Sequence, residues 1–243
     1  MAIKSEVKPM AKAQFKSQSE KIKTLYFKPT LFFQKVAGES KYFPILIYFV
    51  IISAIAYVIN WALSVIQASS TPGASAEVIL GAVFGLWFVV FSVGFSFAVP
   101  FVNAGVVHLG VLMYRGRKSY FNTFKPEAYA MVVGMIYGMI FYVANFILWL
   151  VAPFEITEST VQSLTGILNS IPVSYYVVYI LLFIISLVHT LYIEVIGVAK
   201  FQEMNKGRSL LAILTPRIIL LLLIVIPLIL LFQFILSISP PPV

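Results

Sequence analysis

The sequence contains no cysteine and no aspartate. Without cysteine there are no disulfides, no thiolate metal ligands and no cysteine nucleophile. Without aspartate, Ser-His-Asp triads and paired-aspartate chemistry are excluded, and all nine acidic residues are glutamate. Charge of either sign is scarce. Charged residues make up 11% of the chain, against about 25% in a soluble domain. Hydrophobic residues make up 60%, and the mean hydropathy is +0.98. Too little polar surface exists to coat a water-soluble globule of 243 residues. The long apolar runs point instead to an all-α, polytopic membrane protein, folded as one unit.

Residues 1–28 are Lys-rich and lack a strong period, which predicts a basic, mobile tail. A secretory signal is not expected, because the apolar run that follows is too long and no small-residue cleavage site follows it. Residues 29–43 hold a short interfacial helix over 29–37 (PTLFFQKVA), with Pro29 in its first turn and Gly38 at its stop. Phe32, Phe33 and Val36 are expected in the headgroup layer, with Lys28 and Lys35 toward water. A five-transmembrane-helix bundle occupies 44–237, with spans at about 44–67, 78–114, 128–151, 172–199 and 210–236, and 238–243 form a tail.

The second span is unusual. Val78 to Tyr114 is 37 residues without formal charge, which as one helix would measure about 55 Å against about 30 Å of hydrocarbon. Splitting it at Pro100 leaves a second piece too short to cross, so one projecting helix, kinked near Pro100, is expected. The segment 153–171 carries a capping-box pair, Ser159 and Gln162, and a helical repeat of Val161, Leu164 and Leu168. It predicts a short amphipathic surface helix. The fourth span is expected to continue to about Asn205, with Gly207 ending it. The fifth has almost no small residues over Ile218–Leu231, which predicts a lipid-exposed helix.

Orientation follows from Lys and Arg counts. The N-terminal segment has nine, the 115–126 loop four and the 200–208 loop three, whereas 68–77, 153–171 and the C-terminal tail have none. The positive-inside rule then puts the N-terminus in the cytoplasm and the C-terminus outside, most simply in the cell membrane. The net charge of +8 is distributed for anionic lipid headgroups rather than nucleic acid.

The remaining basic residue, Arg217, lies inside the fifth span. In the fourth span Ser186, His189, Thr190 and Glu194 fall within about 140° of one helix face. Such a stripe is expected to face the bundle interior. Glu194 and Arg217 lie at comparable depth on antiparallel neighbours, so they are expected to pair. His108 and Glu127 sit near the basic ends of the second and third spans and are candidates to join one polar cluster. For Glu127 the plainer expectation is a first-turn acid after Pro126, favourable to the helix dipole. For His108 it is an interfacial side chain. Gly81 and Gly85 in the second span, and Ala130, Gly134 and Gly138 in the third, form small-xxx-small ladders expected at helix contacts. A homo-oligomer face is the alternative. Gly110–Ser119 (GVLMYRGRKS) imitates a phosphate-binding loop, but its spacing is one residue too long and no strand precedes it. Two histidines on different spans, without Cys or Asp, predict no metal site, and no cofactor is expected.

Several stretches taken together carry a family resemblance. They are His108-Leu109, Gly116-Arg117-Lys118-Ser119-Tyr120-Phe121-Asn122-Thr123-Phe124, Tyr129-Ala130, Gly197 through Lys200, and Asn205-Lys206-Gly207-Arg208-Ser209. With the Pro29…Phe32-Phe33 opening, the chain over about residues 28–235 resembles the Yip family of Ypt/Rab-interacting membrane proteins, in its short prokaryotic form. The resemblance implies a non-enzymatic membrane protein that recruits a membrane or cytoplasmic partner or shapes the bilayer. With so short an N-terminal segment, the long cytoplasmic domain and GTPase partner of a trafficking member are not expected. A small permease or lipid-moving protein, using the intramembrane polar stripe, is the alternative.

Overall fold

The computed structural model describes residues 17–70, 76–116, 118–152 and 171–238. Among these residues there is no strand. Ser17 starts α1 (Gln18–Phe27), its hydroxyl accepting a hydrogen bond from the Glu20 amide at 3.1 Å. This supplies one of the bonds that a helix start leaves open. Pro29 then opens α2 (Pro29–Lys35), where its missing N–H costs nothing. The remaining helices are α3 (Tyr42–Ser70), α4 (Ala76–Phe95), α5 (Val99–Met113), α6 (Phe121–Val151), α7 (Val173–Gln202) and α8 (Lys206–Ile238).

The helices α3, α6, α7 and α8 are each long and apolar enough to cross a membrane. The pair α4–α5 makes a fifth when counted as one span; its halves meet at a 43° bend. The cause is local. Pro100 has no N–H to give and its ring excludes the carbonyl four residues back. The chain relaxes into tighter turn bonds, Phe97 N to Gly94 O and Ala98 N to Phe95 O. The expected kink near Pro100 is therefore present.

α6 is the centre of the bundle, packed against α7, α3 and α5, while α8 packs on α5 and α7. Burial is concentrated toward the end where α1 and α2 lie. Phe32, Phe33, Phe49, Phe124, Tyr129, Val132 and Ile193 are fully enclosed there. Toward the opposite end the helices present apolar side chains outward, as lipid solvent permits. Along α8 every residue from Ile218 to Leu231 is exposed, as its lack of small residues predicts.

Several sequence expectations need correction. Residues 17–28 are not a mobile tail: α1 buries Leu25, and Lys21 donates to the Tyr129 hydroxyl at 2.9 Å. Residues 1–16 lie outside the described residues. α2 is a helix, but Phe32, Phe33 and Val36 are in the protein core rather than in a headgroup layer. Phe32 meets Tyr129 edge-on at 4.8 Å, and Phe33 meets Phe201 at 5.7 Å. Lys35 does not point to water but donates to Glu20 at 2.9 Å. α6 begins at Phe121, so Glu127 is past the first turn and Pro126 is inside the helix. α7 ends at Gln202, with Glu203 in the left-handed conformation (φ 54°), and Gly207 belongs to the start of α8. The expected amphipathic helix at 153–171 falls almost entirely outside the described residues.

The glycine ladders are corrected at Gly81, Gly134 and Gly138, while Gly85 does lie at a contact with α3. A Cβ built on Gly81, Gly134 or Gly138 meets nothing within 4 Å, and one on Gly85 meets only the Trp61 ring, at 3.2 Å. Ala130 is the one member of its ladder that is fully enclosed. The close helix approaches are elsewhere. At Gly110 a Cβ would stand 1.9 Å from the Ala212 carbonyl oxygen, which sets how near α5 comes to α8. At Gly197 it would stand 2.4 Å from Pro126 Cβ, so α7 lies directly against the α6 proline. Spacing of four marks a helix face but does not say which face has a neighbour.

Candidate functional site

α7 and α8 are antiparallel and joined by a three-residue turn, 203–205. Glu194 lies about 12 Å along α7 from that turn and Arg217 about 16 Å along α8. The expected pair forms: Arg217 Nη1 donates to Glu194 Oε2 at 2.8 Å, and Nη2 lies 2.7 Å from Glu194 Oε1. Two more helices enter the same site. Arg217 Nη2 also donates to Glu127 Oε2 on α6, at 3.0 Å, and approaches Asn103 Oδ1 on α5 at 3.5 Å. The Asn103 amide donates to Glu127 Oε2 at 2.6 Å. One guanidinium thus ties four helices together.

Exposure is uneven within this cluster. The Glu127 and Glu194 side chains are 1% and 3% exposed, whereas Arg217 is 32% exposed. Glu127 Oε1 is buried without a hydrogen-bond partner. Charges at such depth are costly alone, about 3 kcal/mol each even on insertion scales. The planar guanidinium fork relieves this by meeting carboxylate oxygens in pairs. The exposed side of Arg217 borders a crevice of about 580 Å³. Asn103 shares its polar edge, and Phe95, Val102, Leu220 and Ile224 make its apolar walls.

The predicted fourth-span stripe does not act as one unit. Glu194 belongs to the Arg217 cluster. His189 is turned to Tyr137 and α1: its Nδ1 lies 3.0 Å from the Tyr137 hydroxyl, and its Nε2 3.0 Å from the Tyr26 carbonyl oxygen. That carbonyl can only accept, so Nε2 carries the proton and donates. Tyr26 also presents its ring edge-on to His189 at 4.4 Å. Burial pushes the Tyr26 phenol above its usual range, with the Tyr137 hydroxyl adding to the shift, so it stays protonated. Thr190 Oγ1 is buried without a partner, and Ser186 is half-buried and joins neither group. His108 does not reach the cluster either. Its Nδ1 lies 2.8 Å from Thr123 Oγ1, which also accepts from Gln202 at 2.9 Å.

Sequence reasoning missed two members of the polar architecture. Asn103 is one; as a lone amide on an apolar helix it carries no periodic signal. Lys125 is the other. Counted as a loop cation, it is 1% exposed, and its ammonium donates to the carbonyls of Val36, Ala37 and Glu39 at 3.2, 3.3 and 2.6 Å. A cation there collects the carbonyls just past the end of α2 and faces their negative dipole. The Phe201 ring covers it at 4.5 Å. Tyr129 completes this corner, donating to Glu39 Oε2 at 2.7 Å while Lys21 lies 3.6 Å from Oε1.

Among the described residues no group of three His, Cys, Asp or Glu side chains is arranged to hold a metal. The chain matches no family model, no curated protein and no solved structure.

Proposed function

We propose that this chain is a non-enzymatic membrane-organising protein, of the type its resemblance to the Yip family implies, working from a basic cytoplasmic face. One contrast carries the reading. The buried carboxylates at membrane depth share one guanidinium, whereas cations stand free at one end of the bundle. His189 has both ring nitrogens engaged, and Glu194 is held by Arg217. A transport path needs polar groups that can exchange partners with a substrate. Lys23, Lys28, Lys41, Arg115, Lys200, Lys206 and Arg208 are instead exposed around α1, α2 and the turns after α5 and α7. Such a surface fits an anionic leaflet, or a partner recruited beside it.

The lipid-moving alternative has one observation in its favour: the crevice reaches Arg217 and Asn103 from the side of the bundle. Reconstitution separates the two. Vesicles of phosphatidylcholine, with and without phosphatidylglycerol, are loaded with increasing amounts of the protein. The organising reading expects vesicle diameter to fall with loading only when anionic lipid is present. It also expects calcein release, proton leak and headgroup-labelled lipid exchange to equal those of protein-free vesicles. Lipid exchange well above that background would overturn the reading in favour of lipid movement.

A further inference from the structure

A second hollow, of about 340 Å³, opens at the turn joining α7 to α8, where two helices able to cross a membrane meet. Ala199 and Met204 form its apolar floor, backed by the fully buried Phe33. Thr30, Lys200 and Lys206 form its rim. The charges around it do not balance. Lys21, Lys35 and Lys118 each sit within 4 Å of a carboxylate. The nearest acid in sequence, Glu203, is already taken by Lys118 at 2.9 Å. Lys200 and Lys206 have no carboxylate partner among the described residues, and both are exposed.

We infer that this hollow seats one phospholipid with an anionic headgroup, its phosphate between Lys200 and Lys206 and the start of an acyl chain over the Ala199–Met204 floor. Charge complementarity selects an anion, because two lysines without a carboxylate partner and a threonine line one small space. The apolar floor and the place at the end of two long apolar helices select a lipid over a soluble phosphate. A soluble ion would leave the floor uncovered, whereas the start of an acyl chain covers it. The inference rests on the reading that the basic end meets an anionic leaflet, and it gives that contact a specific seat.

The test uses the full chain in detergent with a defined mixture of phosphatidylglycerol and phosphatidylcholine, read by native mass spectrometry of retained lipid. One phosphatidylglycerol is expected to be retained in preference to phosphatidylcholine. Lys200→Gln with Lys206→Gln should weaken that retention about thirtyfold, since each ammonium near an anionic headgroup contributes about a fivefold gain. Lys23→Gln with Lys28→Gln removes two exposed cations that do not line the hollow and should leave retention unchanged. Ala199→Phe fills the floor while keeping the charge, and should also expel the lipid. Equal losses in the two lysine pairs would reduce the effect to general attraction and overturn the seat. So would displacement of the lipid by millimolar inorganic phosphate. Unselective retention with the anionic-lipid effect on vesicle diameter intact would sink the seat alone; loss of both would sink the organising reading with it.

Discussion

At Gly197 an added Cβ would lie 2.4 Å from Pro126 Cβ and 2.7 Å from Phe33 Cζ. Both neighbours are ring atoms within the buried core, so neither can yield without moving a helix. Gly197→Ala is expected to lower thermal stability in detergent by about 1–3 kcal/mol, the usual cost of overpacking. Gly134→Ala should behave in the opposite sense. Its Cβ meets nothing within 4 Å, and a glycine within a helix costs about 0.5–1 kcal/mol relative to alanine. A comparable loss in both variants would mean that a partner covers the Gly134 face. These two residues also show where sequence stops being informative. The Ala130–Gly134–Gly138 ladder looked like the packing face because its spacing is regular. The residues that do set close approach, Gly110 and Gly197, stand singly and carry no pattern. What makes them necessary is Ala212 on one neighbour and Pro126 on another, and a single sequence does not align those.

The Arg217 cluster belongs to the scale of elements, because its four residues come from α5, α6, α7 and α8. The Glu194–Arg217 half was legible: a short turn between two apolar helices fixes them antiparallel, and rise per residue then matches their depths. The Glu127 half was not. With Pro126 taken as a helix start, Glu127 looked like a first-turn acid, whereas α6 begins five residues earlier and buries it. α1 and α2 were misread for a related reason. The lysines of α1 suggested a solvated tail and Lys35 of α2 was expected toward water, but Lys21 is neutralised by a tertiary partner and Lys35 by Glu20 of α1, neither visible in local composition. The cluster gives a graded prediction. Arg217→Met leaves two buried carboxylates without their cation and should cost about 3–5 kcal/mol. Combining it with Glu127→Gln and Glu194→Gln removes the unpaired charges and should restore much of that loss. Melting in detergent reads both variants. If the triple variant is no more stable than Arg217→Met, the guanidinium acts through its packing rather than its charge.

For the whole molecule, the absence of cysteine makes orientation directly measurable, since any single cysteine introduced is a unique reporter. Ser70 and Ser119 are exposed at the two ends of the α4–α5 pair, and Gly207 is exposed at the start of α8. Thr160 lies in the segment between α6 and α7, outside the described residues. Short loops rich in Lys and Arg stay on the cytoplasmic side, and the turns bearing Arg115, Lys118, Lys200 and Lys206 are of that kind. Impermeant labelling of intact cells should therefore mark cysteines at 70 and 160 and spare those at 119 and 207. The complementary pattern would invert the protein and place its free cations away from the anionic leaflet. A third pattern has its own meaning, because the 43° bend between α4 and α5 is compatible with a span or with a loop that re-enters. If α4–α5 dips in and returns, 70 and 119 share a side and every later segment reverses. Labels would then appear at 70, 119 and 207 but not at 160. That outcome would put the turns on either side of the Arg217 cluster outside while α1 and α2 stayed inside. The structure opposes such a division: Lys125, just after the 119 turn, donates to three carbonyls at the end of α2, and Phe33 of α2 meets Phe201 edge-on beside the 203–205 turn. Segments in direct contact at one end of a bundle must lie on one side of the bilayer, so the bent pair is expected to cross.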